Sequence, residues 1–250
     1  MNLFGTTRTH VRRNHALIAP DGHVAQALPG WTGGSVVTLI SPQLGARFVH
    51  YLVTLEEGGQ SAPPLPGVER FVYVVEGELT LALGDETSLG ADSFAYVPPD
   101  TPHHLIATSS ARFTLFERRY LGLEGMPPPT ATTGHDADTP GEPFLGDPHL
   151  TVKKFLPEHL SFDLAVNTMT FQPGAALPFV ETHIMEHGLL MLSGSGIYKL
   201  GEHWYPVRRG DVIWMGPYCP QWFGALGKEP SSYLLYKEVN RDPFRFEKES

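Results

Sequence analysis

Two stretches of this chain repeat one another at an offset of about 117 residues, and that duplication constrains the fold more than any other feature. Val68-Glu69-Arg70-Phe71-Val72-Tyr73-Val74-Val75-Glu76-Gly77 aligns with Met185-Glu186-His187-Gly188-Leu189-Leu190-Met191-Leu192-Ser193-Gly194. Each carries a Glu, a strand-like run and a Gly at a hairpin turn, at the same spacing. Downstream, Ala95-Tyr96-Val97-Pro98-Pro99 with Pro102-His103 matches Ile213-Trp214-Met215-Gly216-Pro217 with Pro220-Gln221. A β unit of roughly a hundred residues that occurs twice predicts two similar small barrels in tandem.

The residues around the repeat fit an all-β chain. Strand-like runs occupy 35–40, 47–55, 70–75, 79–83, 93–97, 105–107 and 113–120, then 169–171, 187–192, 197–200, 212–215 and 232–237. The 26 Gly and 23 Pro interrupt them at short intervals, as turns of a sandwich or barrel require. No helical periodicity persists, although Leu156 to Phe162 could hold a short helical turn. Between the clusters, Met126-Pro127-Pro128-Pro129 and Thr139-Pro140-Gly141-Glu142-Pro143 cannot build a core. The expected division is 1–120 for the first barrel, 121–147 for a linker and 148–250 for the second barrel.

Charge and cysteine usage exclude several functions. The formal net charge is −9 with no basic block, which argues against nucleic acid or an anionic membrane as partner. A small anionic substrate stays possible, because a local site can oppose the global charge. The single cysteine, Cys219, rules out an intrachain disulfide and reads as a buried filler. The start lacks a basic-then-apolar signal, and no apolar run reaches the ~18 residues of a membrane span. A soluble, reducing, cytoplasmic setting is expected.

One cluster carries chemistry. Glu181-Thr182-His183 sets two possible ligands two residues apart, on one face of an extended chain. His187 opens the next strand, and Gln221 follows a Gly210-Asp211 turn, a short strand and a Pro-rich bend. In spacing this resembles the two motifs of the cupin fold, with His187 followed by six residues and Gly194. In letters it departs: Glu181 and Gln221 stand where that pattern has His, and His187 stands where it has Glu. Two imidazoles, one carboxylate and one amide without a thiolate suit a six-coordinate Mn²⁺, Fe²⁺ or Ni²⁺ with open positions.

In the first repeat Pro64, Pro66 and Arg70 occupy the equivalent positions, and His103, beside His104, matches Gln221. Proline cannot ligate and arginine repels a cation, so the first barrel is expected to be metal-free. In the last strand, alternation puts Tyr233, Leu235 and Lys237 on one face. That face could point into the barrel, where Lys237 would meet a substrate carboxylate, or towards solvent. Tyr198, in the hairpin after Gly194 to Gly196, could reach the same space.

Taken together, these residues resemble the (S)-ureidoglycine aminohydrolase family, double cupins of allantoin (purine) catabolism. The likeness includes His15-Ala16-Leu17-Ile18-Ala19-Pro20-Asp21-Gly22-His23-Val24, Tyr51-Leu52-Val53-Thr54-Leu55, Glu181-Thr182-His183, Glu186-His187-Gly188, and Tyr236-Lys237 with Asn240-Arg241-Asp242. The resemblance implies an all-β double cupin with Mn²⁺ held by Glu181, His183, His187 and Gln221. It implies substrate contacts from Glu181, Gln221, Tyr233 and Lys237, with Tyr198 nearby. The implied reaction replaces the α-amino group of (S)-ureidoglycine by hydroxyl, releasing ammonia and (S)-ureidoglycolate, and Glu181 or Lys237 is the candidate for proton transfer. A homo-oligomer is expected, since double cupins often assemble through sheet edges. Two rivals remain: an Fe²⁺-dependent cupin dioxygenase and a non-catalytic ligand-binding double cupin.

Overall fold

A computed structural model describes residues 7–238. The Asn240-Arg241-Asp242 part of the family likeness lies outside the described residues. Two antiparallel β assemblies account for the architecture. The first runs, in spatial order, Thr132–His135, Ser93–Val97, Val68–Glu76, Ala111–Arg119, Val49–Gln60, His104–Ala107, Leu79–Leu83 and Asp85–Leu89, with Thr32–Ile40 also paired to Val49–Gln60. The second runs His10–Val11, His15–Ile18, Val212–Met215, His187–Ser193, Ser231–Lys237, Ala165–Phe171, Asp147–Lys154 and Gly141–Phe144. A three-stranded sheet of His203–Arg208, Ser195–Leu200 and Gln221–Leu226 faces that second sheet. Among the described residues no helix is long and apolar enough to cross a membrane.

Strand alternation sorts the apolar residues into three cores. Val53, Val72, Val74, Leu105 and Phe113 fill the first barrel. Met169, Phe171, Leu189, Met191, Tyr233 and Leu235 fill the second, meeting Tyr198 and Phe223 from the three-stranded sheet. The opposite faces of the same strands meet each other. Phe71, Tyr73, Phe94 and Phe116 from the first barrel pack against Leu190, Trp214, Leu234 and Tyr236 from the second. Phe48 stacks on Tyr236 with ring centroids 4.2 Å apart, and Phe155 on Phe94 at 4.4 Å. Each such ring removed from water contributes about 1.5–3 kcal/mol, so both large sheets are buried on both faces and joined firmly.

Two strands join the barrels in a way that the expected division does not contain. His15–Ile18, in the first half by sequence, pairs with Val212–Met215 of the second barrel, Leu17 opposite Ile213. Thr132–His135, inside the expected linker, pairs with Ser93–Val97 of the first barrel, Thr133 opposite Ala95. Gly141–Phe144 also forms a strand, on Asp147–Lys154. Residues 120–131, which hold the tandem prolines, are the longest stretch there without strand or helix. Thr132–His135 and Gly141–Phe144 were not legible because an edge strand needs only one paired side and little apolar content. Arg8 fastens the exchanged N-terminal segment with two hydrogen bonds, 2.8 and 2.6 Å, to the buried carboxylate of Asp211.

The hairpin glycines at the ends of the repeat are demanded by geometry. Gly77 and Gly194 have φ of +80° and +70°. A Cβ on Gly77 would lie 2.1 Å from the Ser110 carbonyl oxygen, and one on Gly194 would lie 2.4 Å from Ser231 Oγ. The helical turn expected from Leu156 to Phe162 is absent.

Candidate metal centre and active site

His187 begins its strand opposite Met215 on one side and Lys237 on the other. Its face continues through Leu189 and Met191, both in the second barrel's core, so the imidazole points inward. Lys237 shares that inward face with Leu235 and Tyr233, which settles the orientation that alternation alone left open. Glu181 and Gln221 are tied backbone to backbone, with Glu181 N donating to Gln221 O at 2.8 Å and Gln221 N to Glu181 O at 2.9 Å. The His183 carbonyl accepts from Tyr218 N at 2.7 Å. Local backbone pairing therefore brings a loop and three strands to one end of the second barrel.

Three of the four expected ligands converge. His187 Nε2 lies 3.1 Å from His183 Nε2, and Gln221 Nε2 lies 2.8 Å from His183 Nε2. Gln221 Oε1 is buried without a partner. Burial, then the neighbouring His183 and Lys237, push the His187 imidazole well below its ordinary range. Burial also lowers His183. Both rings are therefore neutral, with a lone pair each, and three nitrogens crowd one point where the single lone pair of His183 Nε2 cannot accept well from both the Gln221 NH₂ and His187. A half-turn of the Gln221 amide would exchange its buried oxygen for its nitrogen and present three donors to a shared cation. The group fits a divalent metal by that chemistry. Among the described residues no three His, Cys, Asp or Glu side chains meet at one point, and Glu181 joins the trio through its backbone pairing with Gln221. The convergent trio is two imidazoles and an amide.

The surroundings are charged but balanced. Burial raises the Glu181 carboxyl above its usual range, with Lys237 working against it. Burial lowers the Lys237 ammonium, with Glu181 and Glu158 drawing it back up and Lys154 lowering it further. Tyr198 and Tyr233 are buried in the barrel wall, and burial raises both phenols, with Glu181 adding to the effect. The Tyr233 hydroxyl donates to Met169 Sδ at 3.3 Å.

The first barrel places Arg70 where the second has His187. Arg70 Nε bonds Glu117 at 2.6 Å, and Nη1 bonds the Ala62 carbonyl at 2.8 Å. His103 Nε2 lies 3.3 Å from the same Nη1, and burial lowers that imidazole to about 4. A guanidinium neutralised by its own carboxylate thus fills the equivalent space.

Two polar residues near the site were not singled out from the sequence. Glu186, fully buried, accepts from Trp214 Nε1 at 2.8 Å and from Arg47 N at 3.0 Å, bracing the residue before His187 from the inter-barrel side. Its repeat equivalent, Glu69, accepts from the Tyr96 hydroxyl at 2.6 Å, and the matched Glu positions were the available signal. Asn167 is the second. The strand expected at 169–171 begins at Ala165, and alternation back from Phe171 and Met169 puts Asn167 on the inward face.

Comparison with known proteins decides the family. The Cupin domain family matches residues 51–117 and 167–236, one match in each barrel. An (S)-ureidoglycine aminohydrolase from Arabidopsis thaliana is 45% identical over 97% of this chain and 81% of that protein. One from Escherichia coli (strain K12) is 36% identical over 92% of this chain and 90% of that protein. The chain belongs to the (S)-ureidoglycine aminohydrolase family. The crystal structure of a putative glyoxylate-induced protein from Pseudomonas aeruginosa superposes with a TM-score of 0.87 at 31% identity, covering 97% of this chain and 94% of that one. Membership of the aminohydrolase family embraces both barrels, including the one whose ligand positions hold Pro64, Pro66 and Arg70.

Proposed function

We propose that this chain hydrolyses (S)-ureidoglycine to (S)-ureidoglycolate and ammonia, using Mn²⁺ held by Glu181, His183, His187 and Gln221. The observation that carries this reading is the inward convergence of His183, His187 and Gln221 beside Lys237, in a chain that is a near full-length member of that family. When bound, the metal would supply a positive centre that orients and polarises the substrate.

The chain's own groups have defined tasks. Lys237 offers an inward ammonium that pairs with the substrate carboxylate, an interaction strengthened by exclusion of water. Tyr233 and Tyr198, both kept protonated by burial, wall the site and donate hydrogen bonds. In the overall step the α-carbon–nitrogen bond breaks, water oxygen forms the new carbon–oxygen bond, and the amine takes a proton and leaves as ammonia. Burial raises the Glu181 carboxyl and lowers the Lys237 ammonium, so the two approach each other in proton affinity. That suits the pair to passing a proton from water to the departing amine. Fixing one face of the α-carbon accounts for stereospecificity.

Incubation of Mn²⁺-loaded protein with freshly generated (S)-ureidoglycine tests the reading: ammonia and (S)-ureidoglycolate should appear together. Oxygen uptake by an iron-loaded sample without ammonia would instead favour the dioxygenase reading. A cytoplasmic homo-oligomer is the setting that accompanies this proposal.

A further inference from the structure

Asn167 is a buried side chain with no evident structural task. It is 4% exposed, and it lines a small pocket. A polar side chain held on an apolar interior face calls for a polar partner, and no side-chain partner within the protein accounts for this one. The interior neighbours on its own strand, Met169 and Phe171, are apolar and belong to the core. A leucine at 167 would have continued that pattern.

The register says what the amide faces. Asn167 lies opposite Leu235, and Ala165 lies opposite Lys237. Lys237 in turn lies opposite His187 on the next strand. Asn167 and Lys237 are therefore diagonal neighbours on the inward face, about 7–8 Å apart between backbones. Both line one pocket, together with Lys154, Leu156, Pro157 and Glu158. Ala165, between them, is small and leaves that space open. The Lys154 ammonium and the Glu158 carboxylate are occupied with each other at 3.0 Å, at the pocket's partly exposed rim. The inner wall thus offers one cation, Lys237, and one neutral amide, Asn167.

We propose that Asn167 binds the ureido end of the substrate. A primary amide presents one acceptor oxygen and one donor NH₂ in a plane. A terminal ureido group presents the complementary pair, an NH₂ and a carbonyl oxygen, so two parallel hydrogen bonds form. A carboxylate or an alkyl end cannot match that pattern. With the substrate carboxylate towards Lys237 and the metal ligands, the diagonal spacing spans a small ureido acid, and the ligand's far end meets Asn167. This assignment rests on the ureidoglycine reading and names the residue that discriminates a ureido acid from an ordinary amino or acyl acid.

The test uses the full-length Mn²⁺-loaded protein and two inert probes, N-carbamoylglycine and N-acetylglycine, which differ only in NH₂ against CH₃ at the far end. Calorimetric titration of the unaltered protein should give about 10-fold or more tighter binding of N-carbamoylglycine, because a site built for a hydrogen bond rejects the ligand lacking it. Asn167→Leu should abolish that preference while leaving N-acetylglycine binding within about 2-fold and Tm unchanged or higher, since no hydrogen bond within the protein is lost. Asn167→Asp, of the same shape, should also lose the preference because its donor is gone. With (S)-ureidoglycine, KM should rise in Asn167→Leu more than kcat falls. A preference that persists in Asn167→Leu overturns the assignment, as does unaltered protein that binds both probes equally or neither. Loss of the preference on substitution, in a protein that releases no ammonia from (S)-ureidoglycine, would sustain the ureido subsite and refute the proposed reaction.

Discussion

His50 makes the stability of this protein depend on pH in a way that one substitution can isolate. The side chain is fully buried, with Nε2 bonded to Thr114 Oγ1 and the ring stacked on Phe116 at 4.2 Å. Nδ1 has no partner, so a second proton would sit on an orphaned N–H inside an aromatic core. Burial, aided by His23, pushes this imidazole from 6.5 down to about 3. The folded pKa is thus below the unfolded one. The neutral ring's stabilising contribution is complete above about pH 6.5 and is lost as pH falls towards 3, because the unfolded chain takes up a proton that the folded chain refuses. Between about pH 7.5 and about pH 5.5 the loss from this group is ~1.4 kcal/mol. His15 and His103, each lowered to about 4, act over an overlapping range, so the whole protein's pH profile does not report His50 alone. The difference between His50→Leu and the unaltered protein does. The Thr114 hydroxyl keeps the Tyr51 carbonyl at 3.2 Å, so the variant should lose only about 1 kcal/mol at the higher pH. Urea denaturation at both pH values should show the unaltered protein losing ~1.4 kcal/mol more than the variant on acidification. Parallel losses in the two proteins would refute the reasoning, because they would mean that the His50 proton is no harder to place in the folded state.

Three further outcomes follow from the site and the core. Lys237→Met and Glu181→Gln should each lower ammonia release from (S)-ureidoglycine by about 10²-fold or more with the fold intact by circular dichroism; near-normal rates in both would remove them from the proton-transfer step. Gln221→Leu and His187→Ala should lose Mn²⁺ on dialysis, measured by elemental analysis, whereas His103→Ala in the first barrel should leave the metal content unchanged. Phe155→Ala opens a cavity between the barrels, where the ring is 4% exposed and stacked on Phe94, and should cost about 3–5 kcal/mol in denaturant unfolding.

Much of the site was legible because its signals are local or periodic. His187, Leu189 and Met191 share a face by alternation, and the Glu181-Thr182-His183 spacing is read directly from the chain. The repeat carried the rest, aligning Gln221 with His103 and exposing Arg70 as the residue that replaces a ligand. Asn167 escaped because Ala165, Val166 and Asn167 lack the apolar alternation that marks the strand at Met169, and its meaning depends on Lys237, seventy residues later in the chain. Glu186 escaped because its partners, Trp214 and Arg47, come from different barrels.

The sequence by itself determined two duplicated all-β units, their hairpin glycines and a second unit richer in ligands than the first. Those properties follow from residue identity at short spacing, where covalent geometry leaves few alternatives. Tertiary structure alone decided that Lys237 faces inward beside His187, and that His183, His187 and Gln221 converge. It alone decided that His15–Ile18 completes the second barrel and that Thr132–His135, from the expected linker, completes the first. Short strands such as these have no preferred partner of their own. They pair where an unfilled sheet edge is left, and that edge exists only once both barrels have closed on their shared aromatic core.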